Sequence, residues 1–461
     1  MNEKDLVVIG GGPAGYVAAI HAAHLGAKVA LIEKDKLGGT CLHRGCIPTK
    51  ALARSAEVLL EARRAKEFGV EVTDVRVNFH QVMSHKAQVV SRLASGLEQL
   101  MKLNRIEVYK GPGRVLSPQR VEVKGQEIVT RRILIATGSV PASPPISGLD
   151  LPGVLSTDDI LELKELPRSL IVIGGSYVGV ELASIFSELG VRVTILEKLP
   201  HLLESLDEEL IQLFTRVLHR RVEVKTRAEV KAIEEGQAGL RVIWDGPEGE
   251  KESEGQVVLV ATGRLPYTAG LGLEDLGLKL EGKAIAVNEN LETSVKGLYA
   301  AGDVLGRHML AHVAFHEGEV AAENALGRPR RVDYRVIPTC VFAQPELASV
   351  GLTEKEARDK DIPYRVSRFP FAACGRAMTM GELQGLVKLL CHAEGGQLLG
   401  MHVMGPHASD LIAEGALAIR LGATAKDVAD TIHAHPTLPE AVREATLGLL
   451  EGAIHFHGRT G

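Results

Sequence analysis

The stretch Leu6-Val7-Val8-Ile9-Gly10-Gly11-Gly12-Pro13-Ala14-Gly15 stands near the start of the chain and indicates its fold. Four apolar residues predict a buried parallel strand, and the glycines that follow fit the turn of a dinucleotide-binding βαβ unit. An amphipathic helix over about residues 15–26 and a strand over Lys28–Ile32, ending at Glu33, complete the unit. We therefore expect an α/β fold of the Rossmann type in this part of the chain.

The glycines of this turn have separate expected roles. Gly10 permits the tight turn, Gly12 lets a pyrophosphate approach the backbone, and Gly15 lets the helix pack on the strand. The phosphates would sit at the helix N-terminus, where free N–H groups and the helix dipole favour anions. Glu33 is placed to accept hydrogen bonds from ribose hydroxyls, so we expect a dinucleotide here.

The same unit recurs in the middle of the chain. The strand Leu170–Ile173 leads into Gly174-Gly175-Ser176-Tyr177-Val178-Gly179, then a helix to about Leu189 and a strand over Val191–Leu196 that ends at Glu197. The closing glutamate stands equally far from the first glycine in both units. The chain is therefore expected to contain two dinucleotide domains built alike.

The second unit favours NAD over NADP. The charge of Glu197 would repel a 2′-phosphate. Lys198 and His201 lie nearby, but no arginine cluster accompanies them, so NADP is the weaker alternative. Ser176 stands where the middle glycine is expected, and we therefore expect a less close approach of the phosphates here.

Two apolar strands that end in Ala-Thr-Gly repeat in the same manner, over Ile133–Gly138 and Val258–Gly263. Each is expected to close a nucleotide domain, because small residues let the backbone approach a cofactor. The stretch Gly297–Asp303 predicts a third such strand. The carboxylate of Asp303 at its end could hold a polyol hydroxyl.

Cys41 and Cys46, separated by four residues, follow the first unit. Alone, this spacing also fits half a zinc site or two buried thiols. Pro48 suits the first turn of a helix, so Cys46 would lie at a helix N-terminus, where the dipole lowers the pKa of a thiol. Lys50 follows one turn later on the same face, and Glu181 could pair with a lysine if the two domains meet.

Thiol chemistry needs a base, and the stretch His433-Ala434-His435-Pro436-Thr437-Leu438-Pro439-Glu440 offers one. Thr437 is expected to cap a helix that runs to about Gly452, with Glu440 in its first turn. That carboxylate would fix the tautomer of the preceding imidazole and raise its basicity. Two histidines and a glutamate could instead bind a metal, but this spacing matches none of the usual zinc patterns.

Length and composition narrow the class of protein. At 461 residues the chain is expected to hold two to four domains, and a net charge of -5 argues against nucleic-acid binding. An acidic start and the lack of a run of about 18 apolar residues predict a cytoplasmic protein without a membrane span. Five cysteines are few for a chain of this length and odd in number, which argues against a secreted disulfide scaffold. The other three are expected to be buried thiols: Cys340, Cys374 and Cys391.

Together these motifs resemble the pyridine nucleotide–disulfide oxidoreductases over essentially the whole chain. The residues that carry the resemblance are Gly39–Lys50, Met309–His312, Pro345–Thr353 and His433–Leu438. The resemblance is strongest to the branch that oxidises protein-bound dihydrolipoamide with NAD+ in 2-oxo acid dehydrogenase complexes.

The resemblance implies an α/β fold with two Rossmann-like dinucleotide-binding domains, one for FAD and one for NAD, and a C-terminal α+β dimerisation domain. The implied boundaries are 1–145 for the FAD-binding domain, 146–268 for the NAD-binding domain, 269–335 for a central domain that completes the FAD site, and 336–461 for the interface domain.

The resemblance also implies a role for each reactive side chain. Cys46 would be the thiolate that faces the flavin, and Cys41 the thiol that meets substrate. Lys50 and Glu181 would form a pair near the reactive nitrogen of the flavin, with Asp303 on the ribityl chain.

The expected acid–base catalyst is His435, oriented by Glu440. In this family the histidine reaches the disulfide of the other subunit, so a homodimer is expected to be obligatory. Further expected partners are the lipoyl domain and the peripheral subunit-binding domain of an E2 acyltransferase, and no nucleic acid, membrane or metal is expected.

The resemblance assigns further residues to the cofactor sites. Those expected from the first unit and the central region are Gly10, Gly12, Pro13, Ala14, Gly15, Glu33, Lys34, Gly39, Thr40, Lys50, Gly113, Ala136, Thr137, Gly138, Asp303, Met309, Leu310, Ala311 and His312. Those expected from the second unit are Gly174, Gly175, Ser176, Tyr177, Val178, Glu181, Glu197, Val230 and Gly263.

Four positions depart from the pattern of the dihydrolipoamide branch, and Ser176, already described, is one of them. Tyr177 stands where the glutathione reductase branch has a gating tyrosine, and His43-Arg44 adds positive charge between the cysteines, where Arg44 would either favour a thiolate or face water. The alternatives are therefore an NAD(P)H-dependent reductase of glutathione or another small disulfide, and a redox sensor without catalytic activity.

Overall fold

The computed structural model describes residues 3–237 and 239–457. From residue 4 to residue 141 the elements are β1 (Lys4–Ile9), α1 (Pro13–His24), β2 (Val29–Glu33), α2 (Gly39–Arg44), α3 (Cys46–Arg64), α4 (Phe79–Leu103), β3 (Glu107–Lys110), β4 (Gly113–Ser117), β5 (Arg120–Val123), β6 (Gln126–Ile135) and β7 (Ser139–Pro141). From 154 to 266 they are β8 (Val154–Ser156), β9 (Ser169–Ile173), α5 (Tyr177–Glu188), β10 (Arg192–Glu197), α6 (Glu208–Leu218), β11 (Val222–Thr226), β12 (Glu229–Gly236), β13 (Gly239–Gly246), β14 (Gly249–Gly255), β15 (Val257–Val260) and β16 (Arg264–Pro266).

The remaining elements belong to the last two-fifths of the chain. Between 280 and 325 they are β17 (Leu280–Glu281), β18 (Ala284–Ile285), β19 (Leu298–Ala300) and α7 (Ala311–Ala325). From 339 onward they are β20 (Thr339–Val341), β21 (Glu346–Gly351), α8 (Glu354–Asp359), β22 (Tyr364–Pro370), α9 (Gly375–Met380), β23 (Leu386–His392), β24 (Leu398–Gly405), α10 (Ala408–Leu421), α11 (Ala425–Asp430) and α12 (Glu440–Gly448).

The first glycine turn lies at the carboxyl end of β1 in a seven-stranded sheet. Strands β3, β2, β1 and β6 run parallel in that order, and β19 pairs with β6 in parallel beyond them. The first residues of β6 instead pair antiparallel with β5. Ligands of such sheets bind at the carboxyl ends of the parallel strands, so this edge carries the candidate site.

The second glycine turn lies in a five-stranded sheet of the order β11-β10-β9-β15-β8, which is parallel throughout. In both units an antiparallel three-stranded meander precedes the return to the parallel sheet. These meanders are β4-β5-β6 in the first unit and β12-β13-β14 in the second. The repeated topology confirms the predicted pair of Rossmann-like units.

The C-terminal part is an antiparallel sheet of the order β20-β21-β24-β23-β22, against which α10 and α12 pack. This arrangement confirms the predicted α+β class of that region. No helix among the described residues is long and apolar enough to cross a membrane.

Some predicted element bounds differ from the structure. Helix α1 begins two residues earlier than predicted, because Pro13 occupies its first position, where a missing N–H costs nothing. The central region contains the two-stranded antiparallel sheet β17–β18, and its third strand, β19, extends the sheet of the first unit by pairing with β6. Residues 1–2 and 458–461, the ends of the first and last predicted domains, lie outside the described residues.

Candidate active site

The first glycine turn is shaped by backbone contacts that leave no room for side chains. Gly10 has a φ of +106°, and a Cβ there would lie 2.2 Å from the carbonyl oxygen of Ala136. A Cβ on Gly15 would lie 1.8 Å from the oxygen of Gly10. The Ala-Thr-Gly strand and the turn are therefore in direct contact, which explains why the two motifs occur together.

Gly12 is different, because its missing side chain leaves free space. A Cβ at Gly12 would meet nothing closer than Cα of Gly39, at 3.9 Å. This opening lies at the start of α1, where N–H groups without helical partners can bind an anion. The space fits the pyrophosphate of a dinucleotide, as predicted for this turn.

The two glutamates that close the units bind the glycine turns themselves. Glu33 accepts hydrogen bonds from the N–H groups of Gly11 and Asp35, each at 2.7 Å. Glu197 makes the equivalent contacts, accepting hydrogen bonds from the N–H groups of Gly175 at 2.5 Å and of Leu199 at 2.7 Å. Burial raises the pKa of Glu33, although Gly11 and neighbouring cations oppose the shift. The equal spacing in sequence could have predicted this shared contact, but the expected role was ribose binding only.

Asp303 belongs to a polar network that joins the first and second units. Its Oδ2 accepts a hydrogen bond from Ser139 Oγ at 2.6 Å, and Ser139 Oγ accepts one from Nε of Arg264 at 2.8 Å. Arg264 also donates to Oγ1 of Thr40, the residue before Cys41, at 3.5 Å. Sequence analysis missed Arg264, because nothing in its local pattern marks it apart from its place after the second Ala-Thr-Gly.

The other residues expected around FAD lie at the same edge or support it. Nζ of Lys34 lies 3.5 Å above the ring of Tyr267, whose carbonyl oxygen accepts a hydrogen bond from Thr137 Oγ1 at 2.6 Å. Gly113 is buried at the start of β4. Nε2 of His312 is 2.8 Å from the carbonyl oxygen of Pro338. The remaining residues lie at the starts of α1, α2 and α7 and after β6: Pro13, Ala14, Gly39, Gly138, Met309, Leu310 and Ala311.

The second unit keeps its backbone despite the serine. Ser176 has φ −84° and ψ −174°, close to the −75° and −171° of Gly12, and a residue with a side chain adopts these angles freely. The hydroxyl of Tyr177 is 2.5 Å from that of Ser205. The other residues expected at NAD lie at the turn, on the neighbouring strand and after β15: Gly174, Gly175, Val178, Val230 and Gly263.

Cys41 lies in the short helix α2, and Cys46 is the first residue of α3. Both are thiols in this structure. The hydrogen bond that Cys41 donates lowers the pKa of Cys46 to about 7, with the charge of Lys50 acting in the same direction against burial. The same hydrogen bond, burial and the charge on Cys46 raise the pKa of Cys41. The two sulfurs are therefore unequal, and Cys46 is the one stabilised as thiolate.

Lys50 and Glu181 meet across the two nucleotide units. Nζ of Lys50 lies 2.9 Å and 3.1 Å from the two carboxylate oxygens of Glu181, which is 5% exposed. Glu181 also accepts a hydrogen bond from the N–H of Phe342 at 2.9 Å, and Lys50 lies 4.4 Å from the centre of the Phe342 ring. The pair thus joins α3, α5 and the start of the C-terminal domain.

The side chains of His43 and Arg44, between the two cysteines, contact residues other than the cysteines. Arg44 forms an ion pair with Asp35, and Nε2 of His43 is 2.7 Å from the carbonyl oxygen of Leu37. Both side chains thus contact the segment that precedes α2, at Asp35 and Leu37.

His435 and Glu440 form a dyad on the surface of the C-terminal domain. Nδ1 of His435 is 2.8 Å from Oε1 of Glu440, and the imidazole is 77% exposed. Burial opposes ionisation of Glu440, but the N–H of Thr437 and the imidazole lower its pKa below the usual range. The opposite carboxylate oxygen accepts that N–H at 2.8 Å, so the carboxylate is fixed on both sides.

The prediction that Thr437 caps a helix to about Gly452 is wrong. Helix α12 covers Glu440–Gly448 and follows Pro439, while the hydroxyl of Thr437 donates to the carbonyl oxygen of Ala434 at 2.6 Å. Two prolines flank the dipeptide Thr437-Leu438, and the residue before a proline avoids helical angles, so the helix starts late. The predicted place of Glu440 in the first turn is confirmed.

The structure brings the predicted residues into two separate groups. No hydrogen bond or ion pair among residues 3–237 and 239–457 joins the His435–Glu440 dyad to Cys41, Cys46 or the Lys50–Glu181 pair. Within this same described part, no group of three or more His, Cys, Asp or Glu side chains could hold a metal ion.

Comparison with known proteins identifies relatives over the full length. The family model described as pyridine nucleotide-disulphide oxidoreductase matches residues 4–318, and its dimerisation domain matches residues 337–446. The chain is 42% identical to the dihydrolipoyl dehydrogenase of Bacillus subtilis, with 99% of this chain and 100% of the relative covered. It is also 42% identical to that of Thermus scotoductus, with 100% of each chain covered. Among solved structures, the HOCl-induced flavoprotein disulfide reductase RclA from Escherichia coli is 29% identical, with a TM-score of 0.87 over 96% of this chain and 99% of the other.

Proposed function

The chain belongs to the pyridine nucleotide-disulphide oxidoreductase family, and we propose that it oxidises protein-bound dihydrolipoamide to lipoamide while reducing NAD+ to NADH. The observation that carries the proposal is the unequal pair Cys41–Cys46 beside Lys50 and Glu181, at the carboxyl edge of a dinucleotide-binding sheet. Full-length relatives with this activity support the choice of substrate.

We assign the base of the reaction to His435. It takes a proton from one thiol of dihydrolipoamide, and the resulting thiolate attacks Sγ of Cys41. The Cys41–Cys46 bond breaks, a mixed disulfide forms, and Cys46 leaves as a thiolate. Glu440 holds Nδ1 of His435 as a donor, which leaves Nε2 free to accept the proton.

The second substrate thiol completes the exchange. It attacks the substrate sulfur bound to Cys41, so lipoamide leaves with its ring disulfide formed. Two electrons have then passed from substrate to the cysteine pair, one proton is on His435, and the other is on Cys41. The lowered pKa of Cys46 fits this reduced state, in which Cys46 carries the negative charge.

FAD and NAD are the cofactors of this reaction. Bound FAD supplies a two-electron carrier between the thiols and NAD+. The chain would hold its pyrophosphate at the opening beside Gly12 and its ribityl hydroxyls at Asp303, with Lys50 and Glu181 near the ring. The equivalent turn at Gly175 would hold NAD. Lys50 then has two tasks, because it stabilises the Cys46 thiolate and positions Glu181.

We propose that the enzyme works as a homodimer, in which His435 of one subunit serves the cysteine pair of the other. The match to a dimerisation domain supports the dimer, and the separation of the dyad from the cysteines within one chain supports the exchange of residues between subunits. The lipoyl domain and the peripheral subunit-binding domain of an E2 acyltransferase are the proposed partners, and the cytoplasm is the proposed compartment, because five cysteines do not fit a secreted disulfide scaffold.

Parallel steady-state assays test the proposal against its nearest alternative. The FAD-loaded protein is given dihydrolipoamide with NAD+ in one assay, and oxidised glutathione with NADPH in the other. We expect turnover in the first assay. Turnover in the second assay alone would contradict the proposal and would instead fit the glutathione reductase branch, which has a tyrosine at the position of Tyr177.

A further inference from the structure

A second histidine, His433, is held between two acceptors in the loop that carries His435. Its Nδ1 is 2.9 Å from the carbonyl oxygen of Thr431, and its Nε2 is 2.8 Å from Oε1 of Glu414. The imidazole is only 6% exposed, whereas that of His435 stands in solvent. Glu414 belongs to α10, which packs on β21 and β24. One buried imidazole thus ties the loop to the core of the domain.

The two contacts of His433 fix its hydrogens. A carbonyl oxygen only accepts, so Nδ1 must carry a hydrogen. A carboxylate also accepts, so a proton lies between Nε2 and the oxygen of Glu414, whichever atom it is bonded to. In both arrangements the His433–Glu414 pair has no net charge. The imidazole is buried while the Glu414 side chain is 31% exposed, so removal of either member would leave the other without its hydrogen-bond partner in a partly buried place.

Other charged groups face the same region. His433 lines a pocket of about 190 Å³, whose charged lining residues from the surrounding elements are Asp430, Glu440, Arg443, Glu444 and His455. Glu440 is the carboxylate that orients His435. A change in the charge of the His433–Glu414 pair would therefore act on the dyad over a short distance in a partly buried region.

We propose that His433 and Glu414 are a positioning pair for His435. The pair holds the backbone of the loop from Thr431 to Pro436, so that the exposed imidazole of His435 is positioned through its backbone as well as through its hydrogen bond to Glu440. Being neutral, it does so without adding a charge beside the dyad. This inference rests on the proposed function, since the position of His435 matters only if it is the base.

The test compares His433→Gln, Glu414→Gln and the double variant in the FAD-loaded homodimer. The pH profile of kcat with dihydrolipoamide and NAD+ is measured for each. We expect His433→Gln to lower kcat by about tenfold, because a misdirected base is costly. The unbalanced Glu414 carboxylate should also move the acid limb of the profile to higher pH, by about 0.5 unit.

Glu414→Gln removes the carboxylate and should lower kcat without moving the acid limb to higher pH. The double variant restores a neutral pair with an amide–amide hydrogen bond, so we expect its acid limb to return to that of the wild type and most of kcat to recover. A role in folding alone would not move the acid limb of the pH profile in His433→Gln and return it to the wild-type position in the double variant. Equal loss in all three variants, with an unmoved acid limb, would overturn the proposal.

The pair His21–Glu323 provides a matched control, since it is also a histidine–glutamate contact between two elements, α1 and α7, at 2.9 Å, and has no proposed role in the reaction. His21→Gln should keep the wild-type profile. Oxidation of NADH by ferricyanide, which needs the flavin but no base, should be unchanged in every variant. If the wild type fails to oxidise dihydrolipoamide, the proposed function is wrong. If the wild type is active and His433→Gln has the same kcat and pH profile, the positioning role is wrong.

Discussion

At the scale of single residues, the chemistry depends on charges that make two similar thiols unequal. Cys46 is stabilised as a thiolate by the hydrogen bond from Cys41 and by the charge of Lys50, while burial acts against both. The pKa of about 7 means that the thiolate is present above neutral pH and lost below it. This places the reactive form of the reduced enzyme in the ordinary working range of pH.

Replacing Lys50 by Met should raise the pKa of Cys46 by about one unit, because a cation that favours the thiolate is removed while burial remains. The rate of alkylation of the reduced enzyme by iodoacetamide, measured against pH, reports the thiolate fraction. Its midpoint is expected near 7 in the wild type. A midpoint that stays unchanged in Lys50→Met would show that this charge does not stabilise Cys46.

A second prediction concerns the dyad. Replacing His435 by Gln should lower kcat with dihydrolipoamide by about 10²- to 10⁴-fold, the usual contribution of a general base. Glu440→Gln should cost less, because the imidazole remains and only its orientation is weakened. Steady-state turnover measures both effects, with the flavin absorbance as a check on FAD content. A larger loss for Glu440→Gln than for His435→Gln would reverse the assigned roles.

The candidate residues Cys41, Cys46 and His435 could be proposed from short motifs, without knowledge of the fold. Arg264 and Glu414 could not, because they contact residues on other elements, Ser139 and His433. Such contacts depend on how elements pack, which no local pattern encodes.

At the scale of elements, the glycine turn of each dinucleotide unit is held on two sides, by the side-chain carboxylate of the closing glutamate and by the backbone of the Ala-Thr-Gly strand. The equal spacing of the two units predicted this repetition. The start of α12 was mispredicted for a comparable reason, since Thr437 matched a capping pattern while the neighbouring prolines decided where the helix began.

Two alanine substitutions in the first turn should have opposite consequences. Gly10 has a positive φ, and an alanine Cβ there would clash with the carbonyl oxygen of Ala136. Gly10→Ala should therefore lower the free energy of unfolding of the protein without FAD by about 2–4 kcal/mol. Gly12→Ala has free space in the chain itself and should leave that stability unchanged. It should instead weaken FAD binding by about tenfold or more, because the methyl group fills the phosphate space.

Thermal unfolding of the protein without FAD and titration with FAD measure the two properties separately. If Gly12→Ala bound FAD as the wild type does, the opening beside α1 would not be the pyrophosphate site.

At the scale of the whole molecule, the active site is expected to be shared between subunits. A heterodimer of one Cys41→Ser subunit and one His435→Gln subunit contains one site with both groups intact if the histidine serves the partner's cysteines. It should show about half the activity of the wild-type dimer. A heterodimer of a wild-type subunit with the double variant should be inactive, and the reverse pattern would place both groups in one chain.

The motifs predicted both halves of the proposed shared site, but the resemblance alone implied that they meet, because the cysteines and the dyad lie at opposite ends of the chain. In the structure the cysteines lie on α2 and α3, whereas the dyad lies at the start of α12, and no hydrogen bond or ion pair among the described residues joins them.

The central claim is that electrons pass from dihydrolipoamide through the Cys41–Cys46 pair, and Cys41→Ser tests it most directly. Serine keeps the shape of α2 but cannot form the mixed disulfide. We predict that the variant retains bound FAD and the oxidation of NADH by ferricyanide, but loses turnover of dihydrolipoamide by about 10³-fold or more. Full turnover of dihydrolipoamide by Cys41→Ser would contradict the account.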